Sequence, residues 1–333
     1  ASNEDNIQEK IDQLEVFDMP DLLKKDLENQ KALVLDGAMA TELEKRGVNT
    51  DSQLWSAAAL INHPQAVKDV HRSYFEAGAD VAITNTYQAN LDSFQQIGFT
   101  PHQASKMVTN AVKLAQEART EFYSNLSTQE RQKRAKYPLI AGSVGPFGAY
   151  LADGSEYTGD YDLSEGEYVE FHEPRMRLLD AAGIDLFAFE TQPNFEEAKA
   201  IANLLETKFL NRTGWLSFSV KDAKHLCDGT PLEEAVAYFN DHPQITAIGV
   251  NCTRMENIEE AVKTIRSVTE KPIVVYPNNG DIYNPETKKW KPDPSSQSFS
   301  DLAPKWLNAG ATIIGGCCRT TPNDISEIRD ALN

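Results

Sequence analysis

The stretch Ala311-Thr312-Ile313-Ile314-Gly315-Gly316-Cys317-Cys318-Arg319 is a short apolar run that breaks at two glycines and ends in two cysteines. A second stretch, Ala247-Ile248-Gly249-Val250-Asn251-Cys252, has the same design and places its cysteine 65 positions before Cys317. Both read as strands that deliver thiols at their carboxyl ends. Three thiolates gathered there can hold Zn²⁺ and leave its fourth position open, as catalytic rather than structural zinc sites do. Successive strand residues point to opposite faces. Cys317 and Cys318 therefore reach one ion only if the strand stops before them, and Gly315-Gly316 allows that stop. A zinc with three thiolates suits a sulfur substrate. Buried structural cysteines are the alternative at this point.

Outward from these two stretches, six further apolar runs read as strands: Leu33-Val34-Leu35, Val81-Ala82-Ile83-Thr84, Leu139-Ile140-Ala141, Leu186-Phe187-Ala188-Phe189, Trp215-Leu216-Ser217-Phe218 and Ile273-Val274-Val275-Tyr276. Several lack polar alternation, as parallel strands covered on both faces do. Helical patterns separate them. Met107, Val108, Ala111, Ala115, Ala118 and Phe122 recur at helical spacing. Thr100-Pro101, Asn194-Phe195, Thr230-Pro231 and Thr321-Pro322 each offer a helix cap with an acid or amide three residues on. Ala77-Gly78, Ala182-Gly183 and Ala309-Gly310 read as helix stops before strands two, four and eight. Eight alternations predict an α/β fold, a single-domain (β/α)8 TIM barrel over residues 31–333. An open doubly wound sheet is the alternative, and strand count and chain length favour the barrel. Residues 1–30, with Leu14, Phe17, Leu22, Leu23 and Leu27, read as a helical lead-in that packs on it.

Composition narrows the function. The hydrophobic fraction of 41% supplies a large core, and the net charge of −18 argues against nucleic acid and anionic membranes as partners. No apolar leader or membrane-length run is present, so a cytoplasmic, reducing location is expected, where clustered cysteines read as metal or catalytic groups. The fourth cysteine, Cys227, reads as a non-ligand loop residue, and His71 as an ordinary helix residue, surface or core. The sequence leaves a homo-oligomer open.

Barrel sites form at the carboxyl ends of the strands. Those ends read Asp36-Gly37, Thr84-Asn85-Thr86-Tyr87-Gln88, Gly142-Ser143-Val144-Gly145-Pro146, Glu190-Thr191, Asn251-Cys252-Thr253, Tyr276-Pro277-Asn278-Asn279-Gly280 and Gly316-Cys317-Cys318. Three cysteines and two carboxylates thus share one rim, which favours metal over bland burial.

On these residues the chain resembles the homocysteine S-methyltransferase family. The resemblance runs from Leu33-Val34-Leu35-Asp36-Gly37 to Gly315-Gly316-Cys317-Cys318-Arg319. The stretch Tyr150-Leu151-Ala152-Asp153-Gly154-Ser155-Glu156-Tyr157 and Tyr276-Pro277-Asn278-Asn279-Gly280 look most like the branch that uses S-methylmethionine. Asp36-Gly37-Ala38 departs from many members, which have a second glycine there. The resemblance implies that Cys252, Cys317 and Cys318 bind zinc, and that Glu190 and Asp36 grip the amino group of homocysteine. It implies a zinc-dependent enzyme that moves a methyl group from a sulfonium donor, S-methylmethionine or S-adenosylmethionine, to homocysteine, giving methionine. Trp55 matches a family tryptophan near the donor. Thr86, Gln88, Ser143 and Asn278 are the polar substrate-binding candidates, and Tyr150, Tyr157 and Tyr161 the aromatic ones for a cationic donor. Residues 281–300, with Lys288-Lys289-Trp290-Lys291, read as a solvated loop. A folate- or betaine-dependent methyltransferase is the runner-up; the short chain after Cys318 argues against the folate-dependent form. A non-catalytic barrel with a structural zinc is the runner-up of another class, and needs a fourth protein ligand.

Overall fold

The computed structural model describes residues 3–7, 21–51, 53–134 and 137–333, with the backbone alone for 53–57. Eight parallel strands carry the fold: β1 (Leu33–Val34), β2 (Val81–Ile83), β3 (Leu139–Val144), β4 (Leu186–Gln192), β5 (Gly214–Phe218), β6 (Ile245–Asn251), β7 (Ile273–Tyr276) and β8 (Ala311–Ile314). Each pairs with its sequence neighbour, and β8 returns to β1 with Leu33 opposite Ile313. A parallel bridge between Leu35 and Val81 joins β1 to β2, supported by Asp36 N–H to Val81 O at 3.1 Å and Asp80 N–H to Val34 O at 2.7 Å. This is the (β/α)8 barrel.

Strand alternation sorts the core into two layers. Leu33, Leu35, Val81, Leu139, Ala141, Ala188, Trp215, Val274 and Ile313 form the interior cluster. Val34, Phe187, Phe189, Leu216, Ile248, Val250, Val275 and Ile314 face the helices. Both faces are apolar, so the strands read as unbroken hydrophobic runs. One close approach requires glycine. A Cβ built on Gly249 of β6 would stand 1.6 Å from the Val274 carbonyl oxygen of β7.

The helix starts follow the capping chemistry of the sequence. Thr100 and Thr321 each form a complete capping box, with Gln103 and Asp324, and Asn194 accepts from Glu197 N–H at 3.0 Å. Thr230 is the exception. Its helix begins at Leu232 with Pro231 as cap and no side-chain cap bond. The Thr230 N–H goes instead to Asp228 Oδ1 at 2.9 Å, closing a loop turn. Gly78, Ala182 with Gly183, and Gly310 end their helices as expected.

The helix Leu22–Leu27 inserts Leu23, 1% exposed, into the interior cluster. Asp21, which caps it, lies near Lys271, whose ammonium binds the carbonyls of His242 and Ile245 beside the start of β6. The helix therefore sits at the amino-terminal end of the barrel, away from the cysteines. Leu14 and Phe17 lie outside the described residues. Among the described residues no helix is long and apolar enough to cross a membrane. Part of the stretch 281–300 departs from a plain solvated loop: Ile282–Asn284 and Lys289–Lys291 pair as an antiparallel hairpin.

Candidate active site at the carboxyl ends of the strands

β6, β7 and β8 are adjacent, so the turns that follow them meet. Cys252 stands one residue beyond β6 with φ 53°, a left-handed backbone that turns its thiol off the strand line. β8 ends at Ile314. The Gly316 N–H then bonds Asp36 O at 3.2 Å, and Cys317 N–H bonds Pro277 O at 2.7 Å. A Cβ on Gly316 would lie 2.5 Å from the Thr320 side chain, so only glycine admits this turn. The break after β8 frees Cys317 and Cys318 from strand alternation, and the Sγ atoms of Cys252, Cys317 and Cys318 all lie within 4.8 Å of one another. None is in a disulfide, and Cys318 is the most open. Among the described residues no fourth cysteine, histidine or carboxylate joins the group. The donor set fits a soft, thiophilic metal with one position left for an outside ligand. The hydrogen bond from Cys252, then that from Cys317, holds the Cys318 thiol well below its ordinary range. Cys227 stands apart, 3.3 Å from Ser219 Oγ.

Asn251 organises this corner. Its Oδ1 accepts from Thr191 N–H at 2.8 Å and Ser217 Oγ at 2.6 Å, and its Nδ2 donates to Thr191 Oγ1 at 2.8 Å. It ties the ends of β4, β5 and β6 directly behind Cys252. Thr191 and Arg319 share the left-handed backbone, with φ 55° and 64°.

Two acids lie beside the thiols. Glu190, 7% exposed, accepts from Ser143 Oγ and from the Tyr276 hydroxyl, which itself accepts from Trp215 Nε1 at 3.0 Å. Burial pushes its pKa up to about 7 against the pull of those hydrogen bonds. Asp36, 4% exposed, accepts from Ile83 N–H at 2.9 Å. Burial holds it well above the usual carboxylate range, and Glu190 adds like-charge repulsion. Neither acid has a salt-bridge partner among the described residues, so the pair is electrostatically suited to an incoming ammonium.

These groups line one cavity of about 350 Å³, which holds Asp36, Glu190 and all three cysteines. Tyr87, Tyr157, Tyr276 and Trp290 give it aromatic walls. The Tyr157 hydroxyl lies 3.3 Å from Cys252 Sγ. The other sequence candidates are placed differently. Ser143 is fully buried against Glu190. Asn278 lies behind the site, its Oδ1 accepting from Cys318 N–H at 3.1 Å. Thr86 donates to Ser143 O at 2.7 Å, and Gln88 donates to Ala149 O at 2.9 Å beside a separate small cavity. None of these four lines the cysteine cavity. Tyr150 packs on Phe147 and Phe171, and Tyr161 donates to Glu197, so of the three loop tyrosines only Tyr157 reaches the thiols. Trp55 falls within the helix Gln53–Asn62, and its side chain lies outside the described residues.

A buried network absent from the sequence reading supports the rim. Glu197 accepts from Phe147 N–H at 2.7 Å and bonds His172 Nε2 at 2.6 Å. Arg175 donates to the carbonyls of Tyr87 at 2.7 Å and Gly145 at 2.8 Å. It clamps the loops after β2 and β3 together. No local pattern marks these residues, because the pairs join separate elements.

A family model for homocysteine S-methyltransferase matches residues 33–332. Homocysteine S-methyltransferase YbgG of Bacillus subtilis is 46% identical over 302 residues, covering 91% of this chain and 95% of its own. A homocysteine S-methyltransferase of Escherichia coli is 44% identical, covering 91% and 96%. A selenocysteine Se-methyltransferase of Brassica oleracea is 39% identical, covering 95% and 92%. The crystal structure of the homocysteine methyltransferase MmuM from Escherichia coli, in its metallated form, superposes with a TM-score of 0.82 at 43% identity, covering 92% of this chain and 99% of that one. The chain is a methyltransferase enzyme and belongs to the homocysteine S-methyltransferase family.

Proposed function

We propose that this enzyme transfers a methyl group from a sulfonium donor, S-methylmethionine foremost, to the sulfur of homocysteine, with zinc held by Cys252, Cys317 and Cys318. The observation that carries the reading is the joint lining of one cavity by three free thiols and two buried acids that form no salt bridge among the described residues. Bound zinc would supply a Lewis-acid centre that favours the thiolate over the thiol at neutral pH.

The protein's own groups do the rest. Glu190 and Asp36 take the ammonium of homocysteine through charge-assisted hydrogen bonds. Ser143 and Tyr276 position Glu190, and Asn278 and Asn251 position the turns that carry the cysteines. Thr86 and Gln88 hold the rim loop after β2. The aromatic faces of Tyr87, Tyr157 and Trp290 suit a cationic sulfonium. In the transfer the homocysteine sulfur uses a lone pair to form its bond to the methyl carbon. The donor's sulfur–methyl bond breaks, and its electron pair returns to that sulfur as a neutral thioether. The thiol proton of homocysteine leaves to solvent, homocysteine becomes methionine, and S-methylmethionine becomes a second methionine.

The test is a methyl-transfer assay of the zinc-loaded protein with homocysteine against S-methylmethionine, S-adenosylmethionine and betaine. A parallel arm uses selenocysteine as acceptor, because one relative is named for that reaction. Methionine formed from a sulfonium donor supports the reading. Absence of transfer from every donor to either acceptor overturns it.

A further inference from the structure

The hairpin of Ile282–Asn284 and Lys289–Lys291 brings an unexpected residue to the cavity. Trp290, 44% exposed, lines the same space as the cysteines. It is held from two sides. The Tyr283 ring lies 5.0 Å from it, and the Arg319 guanidinium carbon stands 5.0 Å from its ring centroid. Arg319 follows Cys318 directly and also lines the cavity. Its Nε donates to Asp281 Oδ2 at 2.9 Å, and its carbonyl accepts from Asn279 Nδ2 at 3.0 Å. Among the described residues its two Nη groups make no hydrogen bond. A guanidinium fixed at Nε and by stacking, with its Nη edge free, is preorganised to bind a carboxylate through two parallel N–H bonds.

The position argues for the donor rather than the acceptor. Asp36 and Glu190, which suit the acceptor's ammonium, are 4% and 7% exposed and mark the closed end of the cavity. The Arg319 side chain is 29% exposed, and Trp290 is more open still. In-line transfer requires the donor to approach the acceptor sulfur from its free side, which is this open end. Covalent continuity with Cys318 also fixes the guanidinium relative to the thiol cluster.

We propose that Arg319 and Trp290 form the docking wall for the amino-acid end of the methyl donor. The Nη edge of Arg319 takes the donor's α-carboxylate, and Trp290 lies along the arm that leads to the sulfonium. The wall selects sulfonium α-amino acids over sulfoniums without a carboxylate. This inference rests on the methyl-transfer reading above.

The experiment compares wild type, Arg319→Ala, Arg319→Lys, Trp290→Ala and Trp290→Phe as zinc-loaded proteins. Two donors are used: S-methylmethionine and dimethylpropylsulfonium, which keeps the cation and lacks the amino acid. Arg319→Ala should lower kcat/KM for S-methylmethionine about 10- to 100-fold, the effect of losing hydrogen bonds to a charged group. It should weaken dimethylpropylsulfonium far less, through the looser Trp290 ring alone, and should leave KM for homocysteine and zinc content close to wild type. Arg319→Lys should recover part of the loss. Trp290→Ala, on an exposed hairpin, should raise KM for both donors, and Trp290→Phe should restore most of it. Calorimetric titration with S-methylmethionine should give the same contrasts in the dissociation constant, whether or not turnover occurs. The inference is overturned if wild type and Arg319→Ala discriminate equally between the two donors, or if Arg319→Ala alters homocysteine and S-methylmethionine alike. Wild type that transfers no methyl group would sink the reaction. Active variants with unchanged donor kinetics would sink only the wall.

Discussion

The Sγ atoms of Cys252 and Cys318 lie 3.5 Å apart although 66 positions separate them in the chain. Barrel topology makes this contact. The strands before the two residues flank β7, and each cysteine sits in the turn just past its strand end. Soft donors set this close are organised for one metal ion, and the first prediction follows from it.

Serine at Cys252, Cys317 or Cys318 should strip zinc and activity together, because a hydroxyl replaces a thiolate ligand poorly. Cys227→Ser, away from the cluster, should keep one zinc per chain. Metal analysis after dialysis checks this. Zinc lost from Cys227→Ser but retained by Cys252→Ser would reverse the assignment.

Glu190→Ala should weaken homocysteine use by about 1.5–3 kcal/mol, the scale of a hydrogen bond to a charged group. Tyr276→Phe removes one bond to Glu190 and should cost less, about 1 kcal/mol. Both proteins should fold. Near-normal kinetics with homocysteine in Glu190→Ala would remove that residue from the acceptor site.

Among donors, S-methylmethionine should be used best, S-adenosylmethionine less well and betaine hardly at all. Competition at equal concentrations ranks them directly. Transfer dominated by betaine would refute the donor assignment and leave the metal site standing.

His71 supplies a prediction about acid stability. It is fully buried in the helix Pro64–Ala77, and among the described residues neither ring nitrogen has a hydrogen-bond partner. Burial lowers its pKa from 6.5 to about 4. Between those values the unfolded chain binds a proton that the folded chain refuses, so stability falls as pH drops from 6.5 toward 4. The loss attributable to His71 is about 3 kcal/mol at most, at 1.36 kcal/mol per pKa unit. Urea unfolding of wild type and His71→Leu across this window should show a shallower acid slope in the variant. Parallel slopes would show that other groups carry the acid sensitivity.

Gly249→Ala should be among the most damaging single changes, above about 4 kcal/mol. The new methyl would collide with the Val274 carbonyl of the paired strand, where the backbone cannot yield. A urea midpoint within error of wild type would mean that β6 and β7 separate more easily than their register implies.

Much of this architecture was legible in the chain. Eight buried parallel strands read as apolar runs because both faces of each are covered. The meeting of Cys317 and Cys318 with Cys252 was legible because Gly315-Gly316 allows the strand to end before them. Beyond the strand ends the periodic signal stops. Gln88 and Asn278 occupy rim segments, yet their side chains turn to backbone partners behind the cavity wall. Trp290 was hidden by its lysine neighbours, which give a paired hairpin the composition of a solvated loop. Glu197, His172 and Arg175 lie on two helices, and their joint role exists only after those helices pack.

The left-handed backbone at Thr191, Cys252 and Arg319 bears on how this protein can change. Each non-glycine residue in that region is held at a cost of about 1–3 kcal/mol, and all three line the cavity. Glycine would relax the chain at any of them. A selection for heat resistance alone should therefore drift toward glycine at Thr191 or Arg319, producing sturdier barrels with poorer chemistry. Thermostable variants that keep their activity should carry their gains in the helical layer, where no side chain has to hold a strained turn.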